Sequence, residues 1–199
     1  MLASGYLKVS DRFLDEHTGR FIYTLKLTNK EVKLMFEDMI KDWFSDDSTP
    51  YNDFLKAFLS HDLEYMNEYM NQIAASTFSF FDTRKQASNT SNPERFYHGF
   101  VLGLIVELSD NYKISSNHES GFGRYDVMLE PFDHSKNAYI LEFKVFNPRI
   151  DNSMEDTVFK ALKQIDDKNY DAELISRGFC KEQIFHYGFA FHGKCVLIG

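Results

Sequence analysis

The sequence predicts an α/β protein, a mixed central sheet flanked by helices and preceded by a mainly helical N-terminal segment. Three observations predict it. Patterns in the second half run helix, three strands, helix, two strands, an order that builds a mixed sheet with helices against it. Apolar residues recur at 3- and 4-residue steps through much of residues 29–75. Finally, 43% of the 199 residues are hydrophobic and 16% aromatic, with 20 Phe and 11 Tyr, enough apolar material for a core. Disorder as the dominant state is excluded.

Along the chain, two short strands are expected first, Tyr6–Ser10 and Phe21–Leu27, around a turn-rich stretch at 15–19. Asn29 can cap a helix carrying Val32, Met35, Phe36, Met39, Ile40 and Trp43 on one face. The polar run at 45–50 breaks it, and a second helix is expected from Tyr51 to Ala75. Its Tyr65, Met66, Tyr69 and Met70 stripe reads as core packing. Residues 84–92 have loop composition. Pro93 then opens a helix to Leu108, its missing N–H harmless in a first turn. Strands are expected at Tyr112–His118, Arg124–Glu130 and Ala138–Phe146, a helix at about Ser153–Tyr170, and strands at Ile184–Phe191 and Lys194–Ile198. The domain boundary is placed at 92–93, an N-terminal segment over 1–92 and an α/β domain over 93–199.

With 30 acidic and 22 basic side chains the formal charge is −8, which disfavours a broad basic face that coats nucleic acid. Cys180 and Cys195 sit in no metal-ligand or disulfide-framework spacing, so a reducing, cytoplasmic setting is expected. No signal peptide is evident, and no run approaches the roughly 20 apolar residues that span a bilayer. No Walker A loop, HExxH, GxSxG or zinc-deaminase pattern is present.

The densest chemistry lies in Arg124-Tyr-Asp126 and Glu142-Phe-Lys144. Strand alternation points Glu142 and Lys144 to one face and Leu141, Phe143 and Val145 to the other. The connecting segment Pro131–Asn137 has turn composition. A hairpin centred on His134 sets position 126 opposite 142 and 124 opposite 144. Asp126 and Glu142 would then have Cβ atoms about 5 Å apart. Carboxylates that close repel unless a cation lies between them or one is protonated, and their oxygens suit Mg²⁺. The bare triplet says little: Glu31-Val-Lys33 and Asp166-Asp-Lys168 also match, in helical zones where i and i+2 do not share a face. On pattern alone the cluster reads either as a metal site or as an exposed strand face carrying one ion pair. Apolar neighbours argue for a central, partly buried strand, where charges are costly without a purpose.

Taken together, Glu94 on a helix, Asp126 on a strand, Glu142-Phe-Lys144 on the next and Gln164 on the following helix resemble the PD-(D/E)XK nuclease superfamily. The nearer resemblance is to a bacterial family in which a nuclease-like domain follows an AAA-type ATPase. It is carried by Glu94-Arg-Phe-Tyr-His98, Glu119–Asp126, Ile140–Lys144, Ala161–Tyr170 and Tyr187–Lys194. The resemblance implies a restriction-endonuclease-like core over 93–199, with residues 4–44 like the ATPase-to-nuclease connector. It implies a nuclease using Mg²⁺ or Mn²⁺ on nucleic acid, with DNA the expected substrate, and an AAA-type ATPase partner in cis or in trans. The rival reading is a nuclease-like interaction module that does not cut.

The resemblance also assigns roles. Asp126 and Glu142 would hold the metal, with Glu94 reaching in directly or through water. Lys144 would orient or deprotonate the attacking water and offset charge on the phosphate. Gln164 would support them by hydrogen bonds. Tyr170 is assigned to substrate, although it falls six residues after Gln164 where the family pattern has four; Arg124, expected opposite Lys144, could hold a substrate phosphate because a guanidinium suits that geometry. For Arg124, a salt bridge to Glu142 or Asp126 is the alternative. His98, four residues after Glu94, shares its helix face as a support.

Overall fold

A computed structural model of the chain describes residues 4–15, 19–44, 51–77, 91–117, 119–120 and 123–199. The chain divides into two compact units, 1–47 and 48–199. In the first, β1 (Leu7–Asp15) and β2 (Arg20–Leu27) form an antiparallel hairpin with a bulge between Val9 and Asp11. Helix α1 (Lys30–Phe44) starts where expected, Asn29 Oδ1 accepting from the Val32 N–H at 2.9 Å. Val9, Phe13, Leu14, Phe21, Ile22, Tyr23 and Leu25 of this hairpin are exposed.

The second unit holds the core. Helices α2 (Tyr51–Ser60), α3 (Leu63–Thr77) and α4 (Ser91–Leu104) precede the strands β3 (Tyr112–Ser116), β6 (Val127–Pro131) and β7 (Ala138–Val145). Between β3 and β6 lies a separate two-stranded ladder of β4 (Glu119–Ser120) and β5 (Gly123–Arg124). Helices α5 (Met154–Lys168) and α6 (Asp171–Ser176) then lead to β8 (Ile184–His192) and β9 (Cys195–Ile198). The main sheet has order β3-β6-β7-β8-β9; β7 and β8 are parallel and every other pair is antiparallel. This is the mixed sheet with flanking helices that the sequence predicts.

Alternation sorts the side chains of β7 and β8 between two helical layers. Odd-numbered residues face α2–α4: the Phe58 ring centroid lies 4.7 Å from Tyr139 and 5.1 Å from Tyr187, and Tyr97 stacks on Phe191 at 4.2 Å. Even-numbered residues face α5, which sits close because Gly188 has no side chain. A Cβ there would lie 2.9 Å from the Val158 carbonyl oxygen. Residues Ala138–Phe143 of β7 are all buried, as suits a central strand. At the far edge, Asn67 and Asn71 of α3 each donate to and accept from the β9 backbone, at Ile198 and Val196. Two side chains thus cover an edge that would otherwise invite another strand. Met66, Tyr69 and Met70 are buried, so the Tyr/Met stripe is core.

Several expectations are corrected. The single helix over Tyr51–Ala75 is two, because His61 adopts φ +62° between α2 and α3. The helix expected to Leu108 ends at Leu104 and tightens into a 3₁₀ turn over Val106–Asp110. In place of one strand over Arg124–Glu130 there are two short ones, broken at Tyr125–Asp126. Within the second unit, α2 packs through Phe58 on the main sheet. The break expected at 45–50 and most of the loop expected at 84–92 lie outside the described residues.

Candidate functional site

The β6–β7 ladder pairs Val127 with Leu141, Met128 with Ile140 and Leu129 with Tyr139. Continued one step, that register sets Asp126 opposite Glu142, as the hairpin reading expected. Asp126 lies just past the ladder and uses its carboxylate to replace it: Oδ2 accepts the Phe143 N–H at 2.8 Å. On its other side Asp126 stays tied to β3, its carbonyl accepting the N–H of Asn117, at φ +54°, at 3.0 Å, while the Tyr125 ring is buried in the core. Arg124 consequently does not lie opposite Lys144. It pairs with Glu119 in the separate ladder, and it is exposed.

Glu142 is 3% exposed, beside Gly188 on the parallel strand. One side chain of α5 organises the charges around it. Gln164 Nε2 donates to Glu142 Oε1 and, at 3.2 Å, to the Tyr170 hydroxyl. Gln164 Oε1 accepts from Lys144 Nζ at 2.7 Å, and that nitrogen lies 3.8 Å from Glu142 Oε1. Tyr170 in turn donates to the Arg124 carbonyl at 2.7 Å. The four-residue spacing of the family pattern is therefore not needed for Tyr170 to reach Gln164. Asn169 takes the left-handed conformation that ends α5, and the Tyr170 N–H turns back to Ile165 O at 3.2 Å. The ring then buries against Tyr125 and Ile165 with its hydroxyl over Gln164.

Burial raises the Asp126 carboxyl above its ordinary range, while the Phe143 N–H and the Lys144 charge pull the other way. Burial also raises the Tyr170 hydroxyl, and the charges of Glu142 and Asp126 add to the shift. Of Glu94 only the backbone is described, in the first turn of α4. His98, one turn on, places Nε2 2.8 Å from Ser116 Oγ with its ring edge-on to Phe143. It supports the strand from the opposite face to Glu142.

Among the described residues no group of three or more His, Cys, Asp or Glu side chains is close enough to hold a metal ion. The donors at hand are the adjoining carboxylates of Asp126 and Glu142 and the backbone carbonyl of Phe143. Hard oxygen donors of this kind fit Mg²⁺ or Mn²⁺, and Mg²⁺ is commonly held by one or two carboxylates with water completing its shell.

Sequence comparison bears on the same span. The model of the PD-(D/E)XK nuclease superfamily matches residues 92–199, more than half of the chain. The chain belongs to the PD-(D/E)XK nuclease superfamily. No curated protein and no solved structure matches it. The superfamily match contains all seven site residues read from the sequence. The structure joins five of them, Asp126, Glu142, Lys144, Gln164 and Tyr170, around one strand, and adds Arg124 through its backbone. Sequence reasoning missed Gly188, whose signal was a glycine inside an apolar strand. It also missed the pair His186 and Asp171.

Proposed function

We propose that the protein is a divalent-metal-dependent nuclease that hydrolyses phosphodiester bonds in nucleic acid, with DNA the expected substrate. The observation that supports it is the network of Asp126, Glu142, Lys144 and Gln164 on a strand carrying the superfamily's pattern. A buried Glu142 with Asp126 and Lys144 half-buried beside it is costly for packing alone. Asp126 and Glu142, with Glu94, would hold Mg²⁺ or Mn²⁺. A cation bound there supplies Lewis acidity toward the phosphodiester and lowers the pKa of water in the site. Lys144, its side chain 28% exposed, would orient the attacking water and offset charge growing on the phosphoryl oxygens. Gln164 fixes Lys144 and Glu142 relative to one another. The guanidinium of Arg124, exposed on its short ladder, suits a substrate phosphate.

The second reading is a nuclease-like module that serves an AAA-type ATPase without cutting. The exposed apolar side chains of β1 and β2 favour it, since such residues suit a protein partner. One comparison separates the two. Wild type and Lys144→Ala are assayed on single- and double-stranded DNA and RNA with Mg²⁺ or Mn²⁺. The nuclease reading expects cleavage by wild type and a loss of about 10³-fold in the variant, with circular dichroism unchanged. Cleavage that survives the substitution, or none by wild type on any substrate, overturns it.

A further inference from the structure

Three polar residues are buried in the described core: Glu142, Thr157 and Asp171. Glu142 belongs to the site, and Thr157 donates to Ser153 O within its own helix. Asp171 has no role so far. It opens α6, and its Oδ1 accepts from His186 Nε2 at 2.7 Å. The other ring nitrogen of His186 lies 3.8 Å from Asp166 Oδ1 at the end of α5. His186 sits on β8 in register with Ile140, so alternation puts it on the face that carries Glu142 and Lys144. An apolar pair would hold α6 to β8 without the cost of desolvating a carboxylate. What a charge-assisted hydrogen bond adds is direction.

That direction matters because Tyr170 immediately precedes Asp171. A tyrosine hydroxyl has one proton, and Tyr170 gives it to the Arg124 carbonyl. Toward Gln164 its oxygen can only accept. The Gln164 amide must therefore turn its NH₂ to Tyr170 and Glu142 and its carbonyl to Lys144. Flipped, it would set an oxygen against the Glu142 carboxylate and offer Lys144 no acceptor.

We propose that His186 and Asp171 are positioning residues of the site: they pin the turn between α5 and α6 so that Tyr170 fixes the orientation of the Gln164 amide, and through it Lys144 and Glu142. As a statement about catalysis this rests on the nuclease reading. Neither residue touches substrate. Their effect passes through Tyr170, whose buried hydroxyl acts on Gln164.

The test compares His186→Phe, which keeps a ring and removes the donor, with His186→Gln, whose amide can still donate to Asp171. Tyr170→Phe and the double variant His186→Phe/Tyr170→Phe complete a cycle. Cleavage is followed well below each thermal midpoint, and the side-chain NH₂ signals of Gln164 are followed by ¹⁵N NMR in the full chain. His186→Phe should lower kcat about tenfold to hundredfold with KM little changed, and His186→Gln should recover most of the loss. The double variant should be no slower than the slower single variant, because both act through one amide. His186→Phe and Tyr170→Phe should move the Gln164 signals in the same direction. Unchanged kcat in His186→Phe, multiplying effects in the double variant, or Gln164 signals that stay at their wild-type positions overturn the proposal. If wild type does not cleave, the nuclease reading fails, and the Gln164 signals alone decide whether His186 positions the amide. Should His186→Phe not fold, His186→Leu takes its place with the same expected results.

Discussion

The two faces of the five-stranded sheet are both covered by helices, but they are held by different chemistry. Toward α2–α4, Tyr139, Phe143, Tyr187, Phe189 and Phe191 make a wall of rings. The polar ends of this wall stop on backbone: Tyr187 donates to Phe58 O at 2.9 Å. Toward α5 and α6 the same strands present Glu142, Lys144 and His186, which bond side chain to side chain with Gln164 and Asp171. Period-two alternation thus gives one strand an aromatic backing and a charged front. Rigid backing is what keeps a constellation of charges within the narrow tolerance that chemistry needs.

Changes on the front are expected to cost activity, and changes in the aromatic wall of the backing to cost stability alone. Gly188→Ala, at the seat of α5, should have the largest effect on stability. Its methyl would meet the Val158 oxygen at 2.9 Å, Leu162 Cγ at 3.1 Å and Ala161 Cβ at 3.2 Å. Lifting α5 is expected to cost about 1–3 kcal/mol by chemical denaturation. Cleavage should fall with it, because α5 carries Gln164. An unchanged unfolding midpoint would break the picture of a helix seated on bare backbone.

On the backing, Tyr187→Phe leaves the Phe58 carbonyl and His61 Nδ1 without the hydroxyl that joins them at 2.9 and 2.7 Å. The expected cost is about 1–2 kcal/mol, with the cleavage rate at low temperature unchanged. A slower rate in folded protein would show that the two faces are coupled.

The smallest effect should be a pH dependence from His61. Its Nδ1 donates to Tyr187, and its Nε2 is buried with no hydrogen-bond partner among the described residues. Burial therefore holds its pKa below the ordinary 6.5. The folded state favours the neutral ring, so this contribution is complete above pH 6.5 and is lost as pH falls below 6.5 through the folded-state pKa. Thermal midpoints measured on either side of that value should fall on the acid side, and less so in His61→Asn, a residue that tolerates the left-handed backbone. An identical acid slope in the variant would remove His61 from the account.

Much of the front was legible in the sequence, because period-two alternation and a turn of fixed length set register directly. Asp126 opposite Glu142, and Glu142 with Lys144 on one face, needed nothing else. The placement of Gln164 followed from resemblance, since no local pattern says which helical side chain returns to a strand far from it in sequence. Where the reading failed, tertiary contacts overrode local pattern. His61 breaks a sequence of good helical spacing because its ring is wanted against Phe185, 3.8 Å away, and at the Tyr187 hydroxyl. Arg124 left the expected strand because Asp126 caps the Phe143 N–H and Tyr125 is drawn into the core. Helix α6 and the Asp171–His186 pair were missed because their partners meet only across the folded sheet.

The parallel pairing of β7 with β8 carries a consequence for how the molecule assembles. β6 and β7 are joined by a short turn, whereas Ala138 finds Ile184 only after the intervening helices. Closing the long connection is entropically slower than closing a hairpin. The two carboxylates are therefore expected to come together early, on a ribbon still open to water. The groups that discipline them, Gln164 on α5 and His186 on β8, arrive with the last contacts to form. Such an order gathers charge first and encloses it afterward, so the largest desolvation cost would fall late in folding, when most of the native sheet is in place to offset it.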